Sequence, residues 1–525
     1  MARLNATKTK TSAIALAQET TVNYEGATAF KLKAQDRLIE QVLGAFWNED
    51  LFYTKGKTIQ KQILSDIAEV AKDNPKFILQ LAAFARDEIH LRTAPQVLLV
   101  EAANIDACKP FIREYTPKIV KRADELSEVV AYQLSKNNGK KNFPNSLKVG
   151  LARAFKNFDE YQLNKYDSSK SDVSIGDVIK LVHPEFNGDE AYRKALYNYL
   201  TKDEVSPELT KIYALKQLLA KDSIDDEAKD LIVKSSVTWE TLISKFGSTK
   251  ENWNLVCPNM GYMALLRNLR NFEEKGVDLD PILTRIQNEK EIKRSKQLPF
   301  RFYSAYKNVT NQKVKRAIAQ AFEKSITNVG LEGSTAVFID LSGSMGSLLS
   351  DKSSVQYKEV AAVLGAMATK KAEESIVIGF GNTAKIIDLN PDDTMMSNIN
   401  KIITTNVGMS TNAWLAFDEL GDRHVDRIVL ISDMQCYDSV SGHYPGYGWG
   451  YNGARPESIA DKWKKYRVKN KDSFLYSMDI SAYGTKQTES KAQNVILLNG
   501  WSDKILDYMA VVEKRNVMVE NIEKW

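Results

Sequence analysis

Between residue 35 and about residue 330, apolar positions recur every three or four residues. Leu38, Ile39, Val42, Leu43 and Phe46 fall on one stripe, as do Ile59, Ile63, Ile67 and Val70, and later Leu209, Ile212, Tyr213, Leu215 and Leu219. This period predicts helices that each bury one face. Polar breaks such as Lys72-Asp-Asn-Pro75 and Lys136-Asn-Asn-Gly139 separate the stripes, so the helices should stack in pairs. Because no fixed repeat length emerges, the pattern predicts an irregular α-solenoid.

After Gly333 the pattern changes. Ala336 to Ile339, Ser375 to Phe380, Arg427 to Asp433, Phe474 to Ile480 and Asn494 to Leu498 read as buried strands. Helices are expected at 355–373, 457–468 and 503–515. Strands alternating with helices predict a parallel, doubly wound sheet, whose ligand sites lie beyond the carboxyl ends of the strands. The expected division is a flexible N-terminus at 1–20, a helical-repeat region at 21–330 and an α/β domain at 331–525. A chain of 525 residues with 43% apolar content can build more than one core.

Charge and composition narrow the function classes. Residues 1–330 carry 51 basic and 42 acidic side chains, and residues 331–525 carry 21 and 25. The excess of cations in the first region suits a polyanionic partner, although a solvated surface would carry it equally. The three cysteines, Cys108, Cys257 and Cys436, form no C-x-x-C pair, which argues against a zinc knuckle or a disulfide framework and for a reducing cytoplasm. The apolar run Ala13 to Ala17 is too short for a signal-peptide core, and no later run reaches membrane-span length.

The sharpest local motif is Asp340-Leu-Ser342-Gly-Ser344-Met-Gly346, directly after the strand ending at Ile339. One carboxylate and two hydroxyls are hard oxygen donors, and the glycines let the loop aim them at one point, a set suited to Mg²⁺ or Mn²⁺. Thr411 precedes a later helix and Asp433 ends a later strand. The series resembles the metal-ion-dependent adhesion site of von Willebrand factor A domains. That resemblance implies direct ligation by Ser342, Ser344 and Thr411. It implies support through bound water from Asp340 and Asp433, and a position open to a partner's carboxylate. Helix capping would also explain the serines, but it needs neither Thr411 nor Asp433. Ser344 lacks the G-x-S-x-G setting of a hydrolase nucleophile, no lysine follows the glycines as in a phosphate loop, and nothing groups the four histidines into a triad.

Asn23 to Phe30, Arg37-Leu38 and Asp50 to Tyr53 resemble the opening of the TROVE domain of the Ro autoantigen family. Phe84 to Pro95, Phe158 to Tyr166, Met263 to Arg270 and Gly500 to Leu506 are similar to later blocks of that family, in order. The resemblance implies HEAT-like helices closed into a ring by an A domain, binding small noncoding Y-type RNA outside and single-stranded 3′ ends of misfolded RNA in the hole. It further implies a monomeric, cytoplasmic, non-catalytic scaffold for RNA quality control, working with a 3′ exoribonuclease such as polynucleotide phosphorylase. Lys140, Lys141, Lys148, Arg153 and His183 resemble the family's RNA-contacting stretch, which implies that they meet RNA here. Lys140 and Lys141 would serve equally as solvated turn residues, and His183 as a helix-terminal residue. A metal-dependent adhesion module without RNA is the competing expectation, and a metal-dependent nuclease is a third.

Overall fold

A computed structural model of the chain describes residues 57–137, 142–167, 172–297, 299–326, 330–349, 353–433, 459–480 and 494–499, with shorter stretches between 20 and 42 and between 506 and 525. From Lys57–Asp73 to Gln312–Ser325 the described residues form a succession of helices. Local sequence sets their starts. Pro75 occupies the first turn of Pro75–Asp87, where its missing N–H costs nothing. Asp159, Ser174, Asp225, Thr249 and Asn311 each cap a helix by accepting a backbone N–H with the side chain.

The helices pack in pairs, as the breaks predict. Helix Lys109–Ile119 lies against Asn145–Ala154 through Gly150, where an added Cβ would stand 2.3 Å from the Thr116 hydroxyl oxygen. The stripes Leu38, Ile39, Val42 and Ile63, Ile67, Val70 are buried. The third stripe is corrected. Leu209 and Ile212 are buried, but Tyr213 and Leu219 are each 36% exposed, and Ala214 and Leu218 take the inner positions. The packing partner, helix Asp226–Ser235, selects a face that apolar character alone does not distinguish.

A short antiparallel ribbon, β1 (Thr20–Val22) and β2 (Thr28–Phe30), precedes the first stripe, in a region expected to be helical. The C-terminal sheet comprises β3 (Leu331–Asp340), β4 (Ala372–Phe380), β5 (Ala384–Ile387), β6 (Arg427–Ser432), β7 (Phe474–Asp479) and β8 (Val495–Asn499), in the order β5-β4-β3-β6-β7-β8. Its pairs are parallel except for β4 with β5. The antiparallel edge strand is a second departure from expectation. The chain turns back at Gly381–Thr383, where the Gly381 N–H donates to the Thr383 carbonyl at 2.8 Å. Helix Tyr357–Lys371 covers one face of the sheet and helix Ile459–Lys469 the other, the doubly wound arrangement expected.

Two joints close the solenoid and this domain into a ring. At one, the Glu359 carboxylate accepts hydrogen bonds from Tyr303 and Lys307 of helix Pro299–Lys307. At the other, helix Arg515–Glu523 lies on helix Pro75–Asp87. There the Gln80 amide donates to the Glu523 carbonyl at 2.6 Å, and the rings of Phe84 and Trp525 meet edge to face at 6.5 Å. Arg427 fixes the approach to this helix through a buried ion pair with Glu513 at 2.7 Å. The expected helix at 503–515 lies largely outside the described residues.

Candidate functional site

Asp340 ends β3 at the centre of the sheet, where burial is most complete. It is fully buried. One carboxylate oxygen accepts the Ser342 N–H at 2.9 Å and the other accepts the Ser432 hydroxyl at 2.6 Å. The first bond folds the D-x-S-x-S loop back on its own aspartate, and the second ties it to β6, the strand that delivers Asp433. Burial pushes the Asp340 carboxyl up to about 6, and the nearby negative charge of Asp433 adds to the rise, against the lowering effect of the serine hydrogen bonds.

The Ser342 and Ser344 hydroxyl oxygens stand 3.2 Å apart. Thr411 joins this end of the sheet through its loop, because the Gly343 N–H donates to the Met409 carbonyl at 3.0 Å. Thr411 and Asp433 are both buried. The five residues singled out by sequence therefore lie at the same end of the sheet, at the carboxyl ends of β3 and β6. Three hydroxyls and two carboxylates form a hard-oxygen donor set that fits Mg²⁺ in character. Among the described residues no group of three or more His, Cys, Asp or Glu side chains offers an alternative metal site.

On the solenoid, Arg153 and His183 occupy adjoining elements, and both are exposed. The turn after Arg153 is pinned to the segment after His183. Phe155 meets Phe186 edge to face at 5.7 Å, the Asn187 amide donates to the Lys156 carbonyl at 2.8 Å, and Lys156 pairs with Glu185 at 3.4 Å. His183 ends helix Ile175–Val182 in a left-handed conformation with φ of 49°, so it holds the helix-terminal position while its ring faces outward. Lys148 is half-buried on helix Asn145–Ala154. Lys140 and Lys141 lie outside the described residues.

Sequence reading missed a row of alternating cations and rings on the neighbouring helix Glu160–Tyr166. Arg122 lies over the Tyr166 ring at 4.7 Å, and Lys165 over Tyr166 at 5.5 Å and Tyr161 at 5.6 Å. Lys211 lies over Tyr161 at 5.6 Å. Asp124 and Asp159 partly neutralise Arg122 and Lys211, whereas Lys165 is exposed. The available signal was the Tyr161, Lys165, Tyr166 spacing, which places a cation one helical turn from one ring and beside another.

A helical ring closed by a doubly wound α/β domain defines the structural class, and the comparisons agree with it. The solved structure of the Ro (Rsr) protein of Deinococcus radiodurans superposes with a TM-score of 0.69 at 16% identity, covering 91% of this chain and 99% of that one. The TROVE domain family model matches residues 18–230 and 212–411. The chain belongs to the TROVE domain family. Telomerase protein component 1 is 25% identical over 314 residues in Rattus norvegicus and over 323 residues in Mus musculus. Those matches cover 48% and 50% of this chain but only 12% of either relative. Among the described residues no helix is long and apolar enough to cross a membrane.

Proposed function

We propose that this protein is a non-catalytic RNA-binding scaffold that takes structured small noncoding RNA on its solenoid and single-stranded 3′ ends in its ring, in RNA quality control or processing. The observation that carries this reading is the cation and tyrosine row from Arg122 to Lys211, on the helical region that also exposes Arg153 and His183. Lysine and arginine meet phosphates, while aromatic faces accept unstacked bases, a pairing of surfaces that suits RNA single strands and loops. Family membership and the positive balance of residues 1–330 support it. A 3′ exoribonuclease of the polynucleotide phosphorylase type is the processing partner this reading calls for, in the cytoplasm, with the protein as a monomer.

The α/β domain in this reading is of the von Willebrand A type and holds Mg²⁺ with Ser342, Ser344 and Thr411. Asp340 and Asp433 neutralise the site, Asp340 with both oxygens already engaged by serines. A bound divalent ion would offer an open position to a partner's carboxylate. A pure adhesion module is the second reading, favoured by this converged donor set. The deciding experiment compares a structured RNA bearing a single-stranded 3′ tail with its blunt-ended form over a salt series, using wild type and a Lys148→Ala/His183→Ala variant. Tail-dependent, salt-sensitive binding weakened by the variant supports the scaffold. If both RNAs bind only at the level of a generic basic protein, the adhesion reading takes its place.

A further inference from the structure

The loop that carries Thr411 has no regular structure of its own, so something outside it must set where the threonine hydroxyl points. The contacts identify that element as the tight turn between β4 and β5. The Asn382 side-chain oxygen accepts the Met409 N–H at 2.6 Å and the Ser410 N–H at 2.8 Å. On the other side of the threonine, the Asn412 N–H donates to the Gly381 carbonyl at 3.2 Å, and upstream the Thr383 N–H donates to the Val407 carbonyl at 3.0 Å. Thr411 is thus bracketed by hydrogen bonds to three consecutive residues, and only one of those residues acts through its side chain.

Glycine makes the close approach possible. Gly408 has φ of +87°, and an added Cβ there would stand 2.3 Å from the Asn382 side-chain oxygen. A Cβ at Gly381 would stand 2.7 Å from the Val407 carbonyl oxygen. The same loop then reaches the first ligand segment through the bond from Gly343 to the Met409 carbonyl. The Asn382 amide oxygen therefore sits at the head of a relay from the β4–β5 turn to Met409, and from Met409 to the Ser342 and Ser344 loop.

We propose that Asn382 is a positioning residue for the cation site: its amide oxygen fixes the Thr411 loop in the conformation that brings the Thr411 hydroxyl to the serine pair. This rests on the metal reading above. Two backbone donors require an acceptor with two lone pairs, which a carboxylate supplies as well as an amide. An aspartate at this position therefore keeps both hydrogen bonds and an alanine keeps neither.

The test is Mg²⁺ titration calorimetry on the full chain as wild type, Asn382→Ala and Asn382→Asp, with melting temperatures in EDTA to confirm folding. Expected is at least tenfold weaker Mg²⁺ binding by the alanine variant, and an aspartate variant within threefold of wild type. Equal affinity of the alanine variant and wild type overturns the role of Asn382, as does equal loss in both variants. Absence of Mg²⁺ binding by the wild type overturns the metal reading itself, a distinguishable result. Hydrogen exchange in the wild type supplies a measurement independent of any variant. The Met409 and Ser410 amides should exchange more slowly when Mg²⁺ is added, and unchanged exchange rejects the proposal.

Discussion

The Lys307 ammonium lies 2.6 Å from one oxygen of the Glu359 carboxylate and 2.8 Å from the other. The same carboxylate accepts the Tyr303 hydroxyl at 2.8 Å and caps its own helix through the Gln356 N–H at 2.7 Å. One side chain thus caps the start of a helix of the α/β domain and binds that domain to helix Pro299–Lys307 of the solenoid. Burial and the bond to Glu359 hold the Tyr303 hydroxyl well above its ordinary range, so it remains a donor at every physiological pH.

Replacing Lys307 by methionine should weaken this joint without emptying it. Loss of one partner from a buried pair costs about 3–5 kcal/mol, but the Lys307 side chain is 31% exposed. Solvent screening brings the expected cost to about 1–2 kcal/mol. Calorimetry should show a lower melting temperature, and a melting curve that overlays wild type would mean the pair contributes nothing.

Binding of Mg²⁺ should be pH-dependent through Asp340. Its folded-state value of about 6 lies above the ordinary carboxylate range, so the carboxyl is protonated in the metal-free fold below that pH and must lose its proton to balance a cation. Affinity should fall about tenfold for each pH unit below 6 and level off above it. Without metal the sign for stability is the reverse. The raised value favours the fold most below about pH 4, and that contribution is lost as pH rises towards 6. Calorimetry at pH 5, 6 and 7 checks both slopes, and a flat Mg²⁺ affinity across that range would remove Asp340 from the site.

RNA affinity should depend on the tyrosine row more than on any single lysine. Stacking on one aromatic ring is worth about 1–3 kcal/mol per base, so on the proposed function Tyr166→Ala should weaken binding of a tailed RNA by roughly 5- to 150-fold. On the same reading Lys165→Ala would remove one phosphate contact and should lower the salt slope by about one. Fluorescence anisotropy over a salt series reads both quantities, and unchanged values in both variants would place the RNA elsewhere.

The second joint makes a local prediction. Trp525→Ala deletes the edge contact with Phe84 while leaving the core of helix Pro75–Asp87 intact. Hydrogen exchange in that helix should accelerate, whereas exchange in β3 and β6 should not change. Equal acceleration in both regions would mean that the contact supports the whole fold rather than the joint.

The D-x-S-x-S loop was legible in sequence because its residues are contiguous. Asp340, Ser342 and Ser344 lie within five residues, and a strand ending at Ile339 says where the loop must sit. Thr411 and Asp433 were legible because the alternation of strands and helices returns each to the same end of the sheet. Asn382 was not, since its role is a hydrogen bond to backbone across 27 residues, and backbone donors carry no residue-type signature. The antiparallel β5 was hidden for a related reason. A four-residue edge strand has too little alternation to reveal its direction, and the tight turn at Gly381 decides it. Tyr213 and Leu219 show the limit of periodicity, which marks apolar faces without saying which one a neighbour will cover. The cation and tyrosine row escaped because Arg122 and Lys211 are far in sequence from helix Glu160–Tyr166 and reach its rings only through packing.

Gln80 and Glu523 are 443 residues apart in sequence and 2.6 Å apart in space, which gives the chain a topological character as well as a shape. Backbone and noncovalent joints together make a closed loop, and a polymer passing through a closed loop is linked to it. In the proposed function, a linear RNA threaded through the loop would escape by sliding off one of its ends. A covalently circular RNA has no end, so on the same reading it would enter or leave only when a joint opens, and its exchange rate would be a direct clock for that opening.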